Sequence, residues 1–261
     1  MSLEESIKLI KGNKSIENIY IAGLVYLKYH KNREAINLFK KILNYQKENY
    51  PAQWGIAEVL RRDNNLEESK KILNNIIYKN PDFSPAYISL AYIKYNELNF
   101  KDCMELSEII IKNLHNKTDI PNLARAYLLL GGAKGMLASK GSYLQKIKYG
   151  LDVLPNLKKA EKINPQAPEV LFALGSFYFL APKIVGGNLQ KAEEYLNKAI
   201  EKDPLFTNSY VRLAQLYYVQ KRYTLSDQYI NKAKEIEPNN PLLLDFLNKN
   251  CRFNCSTVEE K

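Results

Sequence analysis

Apolar side chains return along this chain at intervals of three and four, the spacing that gathers them on one stripe of a helix. The clearest stretch is Thr207 to Pro238. Its first half carries Tyr210, Leu213, Ala214 and Tyr217 on one face, and its second half carries Ser226, Ile230 and Ala233 before stopping at Pro238. A short polar turn separates the halves, so the pattern predicts two amphipathic helices folded into a hairpin. Ala214 and Ala233 leave room for a neighbouring helix to come close, and Tyr210 and Tyr217 fill the space around that contact.

The same order of small and bulky residues recurs upstream. From Ile16 it runs through Ile19, Ala22, Gly23 and Tyr26, then Ala35, Phe39 and Ile42. From Tyr50 it runs through Ile56, Ala57 and Leu60, then Ser69, Leu73 and Ile76, closing at Pro81. From Ser84 it gives Tyr87, Leu90 and Ala91, with Lys94 and Cys103 at two places where the pattern weakens. The starts are separated by equal steps of 34 residues (16 to 50, 50 to 84), and two equal steps in succession make an internal repeat. Ahead of the first start, Leu3, Ile7 and Ile10 predict an N-terminal helix, with Ser15 as the cap of the helix that follows.

The middle is irregular. A first helix is expected from about Asn122 to Ala138, with Tyr127, Leu130 and Gly131 at its contact face, then a polar turn around Lys140 to Ser142. The second helix closes with Leu157, Ala160 and Pro165, which makes this pair about ten residues longer than one repeat. Gly150 and Pro155 fall inside it, and Pro155 is expected to kink or break the helix, because proline lacks the backbone donor. The next pair offers Leu171, Leu174, Gly175 and Tyr178, then Ala192, Leu196, Ala199 and Pro204. Between its helices, Ala181 to Asn188 is longer than a usual turn by about five residues, and Gly186 and Gly187 read as turn glycines with positive backbone torsion. Pro241 to Cys251, with Leu244 and Leu247, supplies one more first helix without its partner.

With these residues in view, the chain resembles the tetratricopeptide-repeat family, whose units of 34 residues are helix hairpins. The resemblance implies an all-α fold: a right-handed superhelical α-solenoid of about six hairpins with an N-terminal helix and a C-terminal capping helix. On that reading residues 1–261 form one solenoid domain, with repeats at about 16–49, 50–83, 84–121, 122–167, 168–206 and 207–240, a cap helix at 241–253 and a loose tail at 254–261. Leu171 to Pro204, with its Pro182…Gly186-Gly187-Asn188 loop, is similar to a subset of bacterial repeat proteins. The T component of tripartite periplasmic transporters, a lipoprotein that associates with substrate-binding proteins, is one branch of that subset. This sequence departs from the branch in showing neither a signal peptide nor an N-terminal lipidation cysteine.

Charge changes the picture little. The chain has 261 residues, a net charge of +10 and a sequence pI near 9.2. Its lysines are scattered among acidic and neutral residues with no run of five like charges, so a diffuse solvated surface is expected rather than a stripe for nucleic acid. Three cysteines, Cys103, Cys251 and Cys255, are too few and too unevenly placed for a disulfide framework. The opening residues do not read as a signal peptide and no stretch approaches a membrane-spanning run, so a cytoplasmic setting is expected, or a periplasmic one if a leader has been removed.

Chemistry is sparse. His30 and His115 stand at helix ends with no second ligand at a metal-binding spacing, and Cys251 and Cys255 lack a second pair. Gly131 to Gly135 resembles a phosphate loop only superficially, since it follows a helical run and no Gly-Lys-Ser/Thr completes it. Asn13, Asn116 and Asn254 begin glycosylation triplets of the kind an asparagine-rich chain produces by chance. No acid–base pair, nucleophile triad or cofactor fingerprint is present, so the expectation is no enzyme, no cofactor and no metal.

The resemblance locates the informative residues instead. In the family, a curved inner surface is lined from the second, fifth, ninth, twelfth and thirteenth places of each repeat. Carried over, these places are Tyr20, Leu24 and Leu27; Trp54, Glu58, Arg61 and Arg62; and Ile88, Tyr92, Tyr95 and Asn96. Further along they are Phe172, Ser176 and Phe179, then Val211, Gln215 and Tyr218, joined by Leu128 and Met136 if the irregular pair keeps register. Trp54, one place beyond the family's usual aromatic, is expected to face away from the core of its hairpin. So aromatic a lining suits a protein partner, an extended peptide or a helix gripped by aromatic anchors. An apolar small molecule, in a transport-associated protein, is a second reading of the same lining, and nucleic acid on the basic surface is a third. Tight curvature would instead bury these rings as ordinary core. The family's clamp for a chaperone's terminal carboxylate is not expected, because Ala173 stands where the asparagine matching Arg212 would be.

Overall fold

A computed structural model describes residues 1–12 and 15–249, and all of their regular secondary structure is helical. The chain divides into two compact units, Met1–Thr118 and Asp119–Lys261. The first holds α1 (Leu3–Gly12), then three hairpins: α2 (Ile16–Lys28) with α3 (Asn32–Tyr45), α4 (Tyr50–Arg62) with α5 (Leu66–Lys79), and α6 (Ser84–Asn96) with α7 (Phe100–Asn113). The second holds α8 (Ile120–Lys140) with α9 (Tyr143–Ile163), α10 (Pro168–Leu180) with α11 (Leu189–Lys202), α12 (Thr207–Val219) with α13 (Tyr223–Ile236), and α14 (Pro241–Leu247). Each helix packs on its hairpin partner. Within each unit the first helices also touch in succession, α2 on α4 on α6 and α8 on α10 on α12 on α14, so they share one face.

The small residues do what the pattern asks of them. Ala22, Ala57, Ala91, Ala199, Ala214 and Ala233 are fully buried, and each marks a place where helices approach closely. Cys103 takes the same role: it is fully buried, burial pushes its thiol up to about 12, and it acts as a small apolar filler. At Ser69 the hydroxyl donates to the Ala57 carbonyl, 2.8 Å away, which satisfies a polar group buried at that seam. Replacing Ala199 or Ala214 by tryptophan is expected to overpack the contact and cost about 1–3 kcal/mol. Unchanged urea midpoints for both variants would show that this register is wrong.

Local chemistry sets the ends of the helices. The Ser15 hydroxyl accepts from the Asn18 amide at 3.2 Å, as expected of a cap, and the Asn49, Asp119 and Asn188 side chains do the same for their helices. At the other end of α2, α4, α6 and α12, the closing residue adopts left-handed torsions: His30, Asn64, Leu98 and Lys221, with φ between 58° and 62°. The following amide then reaches back to a carbonyl five residues earlier, as in Lys31 to Tyr26 at 2.9 Å and Asn99 to Lys94 at 2.9 Å. None of the four is glycine.

Three sequence expectations need correction. Pro155 does not break its helix. α9 runs through it from Tyr143 to Ile163, and the Asn156 side-chain amide donates to the Asp152 carbonyl at 2.7 Å, supporting the turn beside the missing donor. The surplus length of this hairpin lies in the helices: α8 and α9 have 21 residues each, against 13 or 14 in the other hairpins, about two extra turns apiece. Gly186 has the expected positive torsion, φ 107°, but Gly187 does not. Gly187 is required for space, since a Cβ there would stand 1.9 Å from the Ala181 carbonyl oxygen. Finally, α14 buries Leu242, Leu243 and Asp245 and leaves Leu244 and Leu247 exposed, the reverse of the expected face. The rest of the expected cap from Asn250, the tail with Cys251, Asn254 and Cys255, and Asn13 lie outside the described residues.

Candidate functional site

In the unit formed by residues 1–118, the first-helix face gathers a connected polar–aromatic cluster on α4 and α6. Trp54 is half-buried, packed at the edge of the core around Ala57 and Leu73. Its indole N–H donates to the Ser89 hydroxyl at 2.8 Å. The Ser89 hydroxyl also hydrogen-bonds the Glu58 carboxylate, which lies one turn beyond Trp54 on α4. Glu58 in turn accepts two bonds from Arg61, 3.0 and 2.9 Å long, in the forked geometry that makes such pairs strong. The Arg61 guanidinium stands 5.7 Å from the centre of the Tyr92 ring on α6. A continuous series of contacts therefore links Trp54 to Tyr92 across two hairpins.

Burial alone would push the Glu58 carboxyl up. The charge of Arg61 and its hydrogen bonds, helped by Arg62 and Ser89, more than offset this and hold it down at about 2. Glu58 is buried and serves to fix Arg61 rather than to meet a partner. Trp54, Arg61, Tyr92 and Tyr95 are half-buried, with part of each side chain open to solvent, and Arg62 is exposed. Tyr95 meets Phe100 edge-on at 5.3 Å. On α2, Tyr20 and Leu24 are half-buried, Tyr20 lying 5.8 Å from Phe39. Leu27 and Ile88 are buried and belong to the core. Ser89, which ties the cluster together, was not singled out by spacing, because a serine beside a lining position carries no periodic signal.

In the unit beginning at Asp119, the same register gives a more closed surface. Phe172 and Ser176 on α10 are half-buried, while Phe179, Val211 and Gln215 are buried. On α8, Leu128 is half-buried and Met136 buried. Val211 shares a core with Leu242 and Leu243 of α14, so the last helix covers this end of the lining. Arg212 is buried, donates to Gln215 at 2.7 Å and stands 5.9 Å from the Phe172 ring, which meets Phe206 edge-on. Only Tyr218 of the α12 set is exposed, and it contacts Tyr223 and Phe246 at 5.4 and 6.2 Å. The accessible lining is thus narrower than the spacing alone predicts.

Among the described residues, no group of three or more His, Cys, Asp and Glu side chains is placed to hold a metal ion. No described helix is long and apolar enough to cross a membrane.

Comparison with known families agrees with the geometry. One tetratricopeptide-repeat model matches residues 26–91 and a second matches residues 183–241. Over both stretches the chain is built of tetratricopeptide repeats. Neither match reaches the α8–α9 hairpin, whose lengthened helices depart from the repeat. Solved repeat structures resemble this tetratricopeptide-repeat chain over most of its length. The Pseudomonas aeruginosa PilF structure is 12% identical with a TM-score of 0.52, covering 91% of this chain and 98% of its own. A tetratricopeptide repeat protein from Parabacteroides merdae is 13% identical with a TM-score of 0.59, covering 94% and 90%. The Cut9–Hcn1 hetero-tetramer of the APC/C gives 14% and 0.58, covering 95% of this chain and 51% of that one. At such identities the likeness concerns the fold. No curated protein matches the sequence.

Proposed function

We propose that this tetratricopeptide-repeat chain is a non-catalytic adaptor that takes a protein segment, a peptide or a short helix, across the first-helix face of residues 1–118. Repeat proteins of this family generally act as interaction scaffolds, and the observation that carries the finer reading is the Trp54–Ser89–Glu58–Arg61–Tyr92 series. It holds two aromatic rings and a guanidinium, the side-chain types that dominate binding hot spots, in place before any partner arrives. Pre-ordering matters because each long side chain frozen on binding costs affinity. An apolar small-molecule carrier is less well supported. A surface hollow of about 320 Å³ is lined by Leu43, Gln53, Ile56, Lys71, Ile72 and Asn75, away from the aromatic lining.

A peptide library displayed on phage and selected against the full chain tests this reading. Selected peptides are expected to lose about 2 kcal/mol, roughly thirtyfold in Kd, when Trp54 or Tyr92 is changed to alanine. Tyr78→Ala, on an exposed position of α5, should leave their affinity unchanged. Peptides that bind the Trp54→Ala and Tyr92→Ala variants as tightly as the parent would refute the site.

A further inference from the structure

The α8–α9 hairpin carries a second surface, independent of the one above. Its internal seam is built from small residues: a Cβ on Gly135 would meet Val153 at 3.8 Å, one on Gly150 would meet Ala138 at 3.8 Å, and one on Gly131 would press on Leu157 at 3.0 Å. That seam uses one face of α9. Leu144, Ile147 and Leu151, spaced by three and four, fall on another face and remain 77%, 46% and 65% exposed. The stripe leads into half-buried Leu154, against which the Gly186 loop lies. The same loop presents Ile184, 94% exposed, on a backbone tied by the Gly187 amide to the Pro182 carbonyl and by the Asn188 amide to the Tyr178 carbonyl. A row of large apolar side chains held open on a rigid helix marks a contact surface.

Charge identifies the occupant. From Ser139 to Leu151 the chain carries Lys140, Lys146 and Lys148 and no acidic residue. The first carboxylate, Asp152, is already bonded to Lys134 at 2.6 Å. We propose that the Leu144–Ile147–Leu151 stripe of α9, with Lys148 at its border in a stretch that carries lysines and no carboxylate, docks an acidic amphipathic helix of a protein partner. Leucines on one face of that helix fill the stripe, and its flanking carboxylates meet Lys148, four residues from Leu144 and three from Leu151 on the same helix. A second copy of this chain would set lysine against lysine. For a bilayer, the three lysines of this stretch fall short of the cluster of about four to eight cations that holds a helix on anionic lipid.

The test uses the full chain and a labelled synthetic helix of about 18 residues, built of leucine at spacings of three and four with glutamate elsewhere. Fluorescence anisotropy should show binding that weakens at least about tenfold in the Leu144→Ser/Ile147→Ser/Leu151→Ser variant, whose exposed changes leave the circular dichroism unaltered. The same peptide with lysine replacing glutamate should bind about tenfold more weakly. The Trp54→Ala/Tyr92→Ala variant should keep its affinity within about twofold, which separates this surface from the adaptor face. Equal binding of the two peptides, or of the triple variant, overturns the proposal. So does a loss confined to the Trp54/Tyr92 variant. Stripe-dependent sedimentation with phosphatidylcholine–phosphatidylserine vesicles, or a stripe-dependent dimer, would reassign the face and overturn it equally.

Discussion

Phe39→Ala is expected to cost residues 1–118 about 3–5 kcal/mol. Phe39 is fully buried, and its ring is held between two glycines from different hairpins. A Cβ on Gly23 of α2 would stand 2.5 Å from the ring, and one on Gly55 of α4 would stand 2.6 Å from it. The ring thus occupies space that both neighbours vacate, and removing it leaves a cavity that α2 and α4 cannot close without moving. Gly23→Ala and Gly55→Ala should each cost about 1–3 kcal/mol through overpacking. The sharper check is their coupling: in a Phe39→Leu background the penalty of Gly55→Ala should shrink, since the smaller side chain makes room. Trp54 is the sole tryptophan of the chain, so its fluorescence follows urea unfolding of this unit. Additive penalties would show that the ring does not mediate the contact.

Arg61→Ala should be comparably damaging at neutral pH, about 3–5 kcal/mol, because it strips a buried carboxylate of its main partner. Glu58→Met/Arg61→Met should recover most of that loss, as apolar groups of similar size remove the stranded charge. A pH signature accompanies it. The folded carboxyl of Glu58 holds its proton less tightly than the unfolded one, about 2 against an ordinary 4.5. Its contribution, about 3 kcal/mol, is therefore fully present above pH 4.5 and is lost as pH falls towards about 2. Unfolding free energies measured from pH 6 to pH 2 should fall less steeply in Glu58→Gln than in the parent. Parallel curves would mean that Glu58 does not carry this linkage.

The architecture was legible because its cause is periodic. Ala22, Ala57, Ala91 and Ala214 can be picked out by spacing alone, and all four are fully buried where helices meet. Features with a single, non-repeating cause were not legible. Pro155 breaks helices on average, yet here Asn156 bridges to the Asp152 carbonyl and the helix continues. Gly187 looks like a second turn glycine, but the nearby Ala181 carbonyl, not its own torsion, excludes a side chain. The candidate site was half legible. Register picks out Trp54, Arg61 and Tyr92, which the structure joins in one cluster, whereas exposure depends on neighbours: Ile88 and Phe179 sink into the core, and α14 covers Val211. Ser89 shows the same limit from the other side, since its importance comes from what reaches it across the hairpin boundary.

The left-handed residues that close α2, α4, α6 and α12 have a consequence for how the array comes apart. Away from glycine that conformation costs about 1–2 kcal/mol for an ordinary side chain, and Leu98 has no polar group to ease it. At Leu98 the bend is held by the Asn99 amide bond to the Lys94 carbonyl and by the packing of α6 on α7, not by any preference of leucine for it. Once α6 and α7 separate, the backbone at Leu98 is free to relax to an ordinary torsion, and the two helices no longer point back at one another. Parting and straightening then become a single event, so this hairpin opens abruptly rather than by gradual fraying.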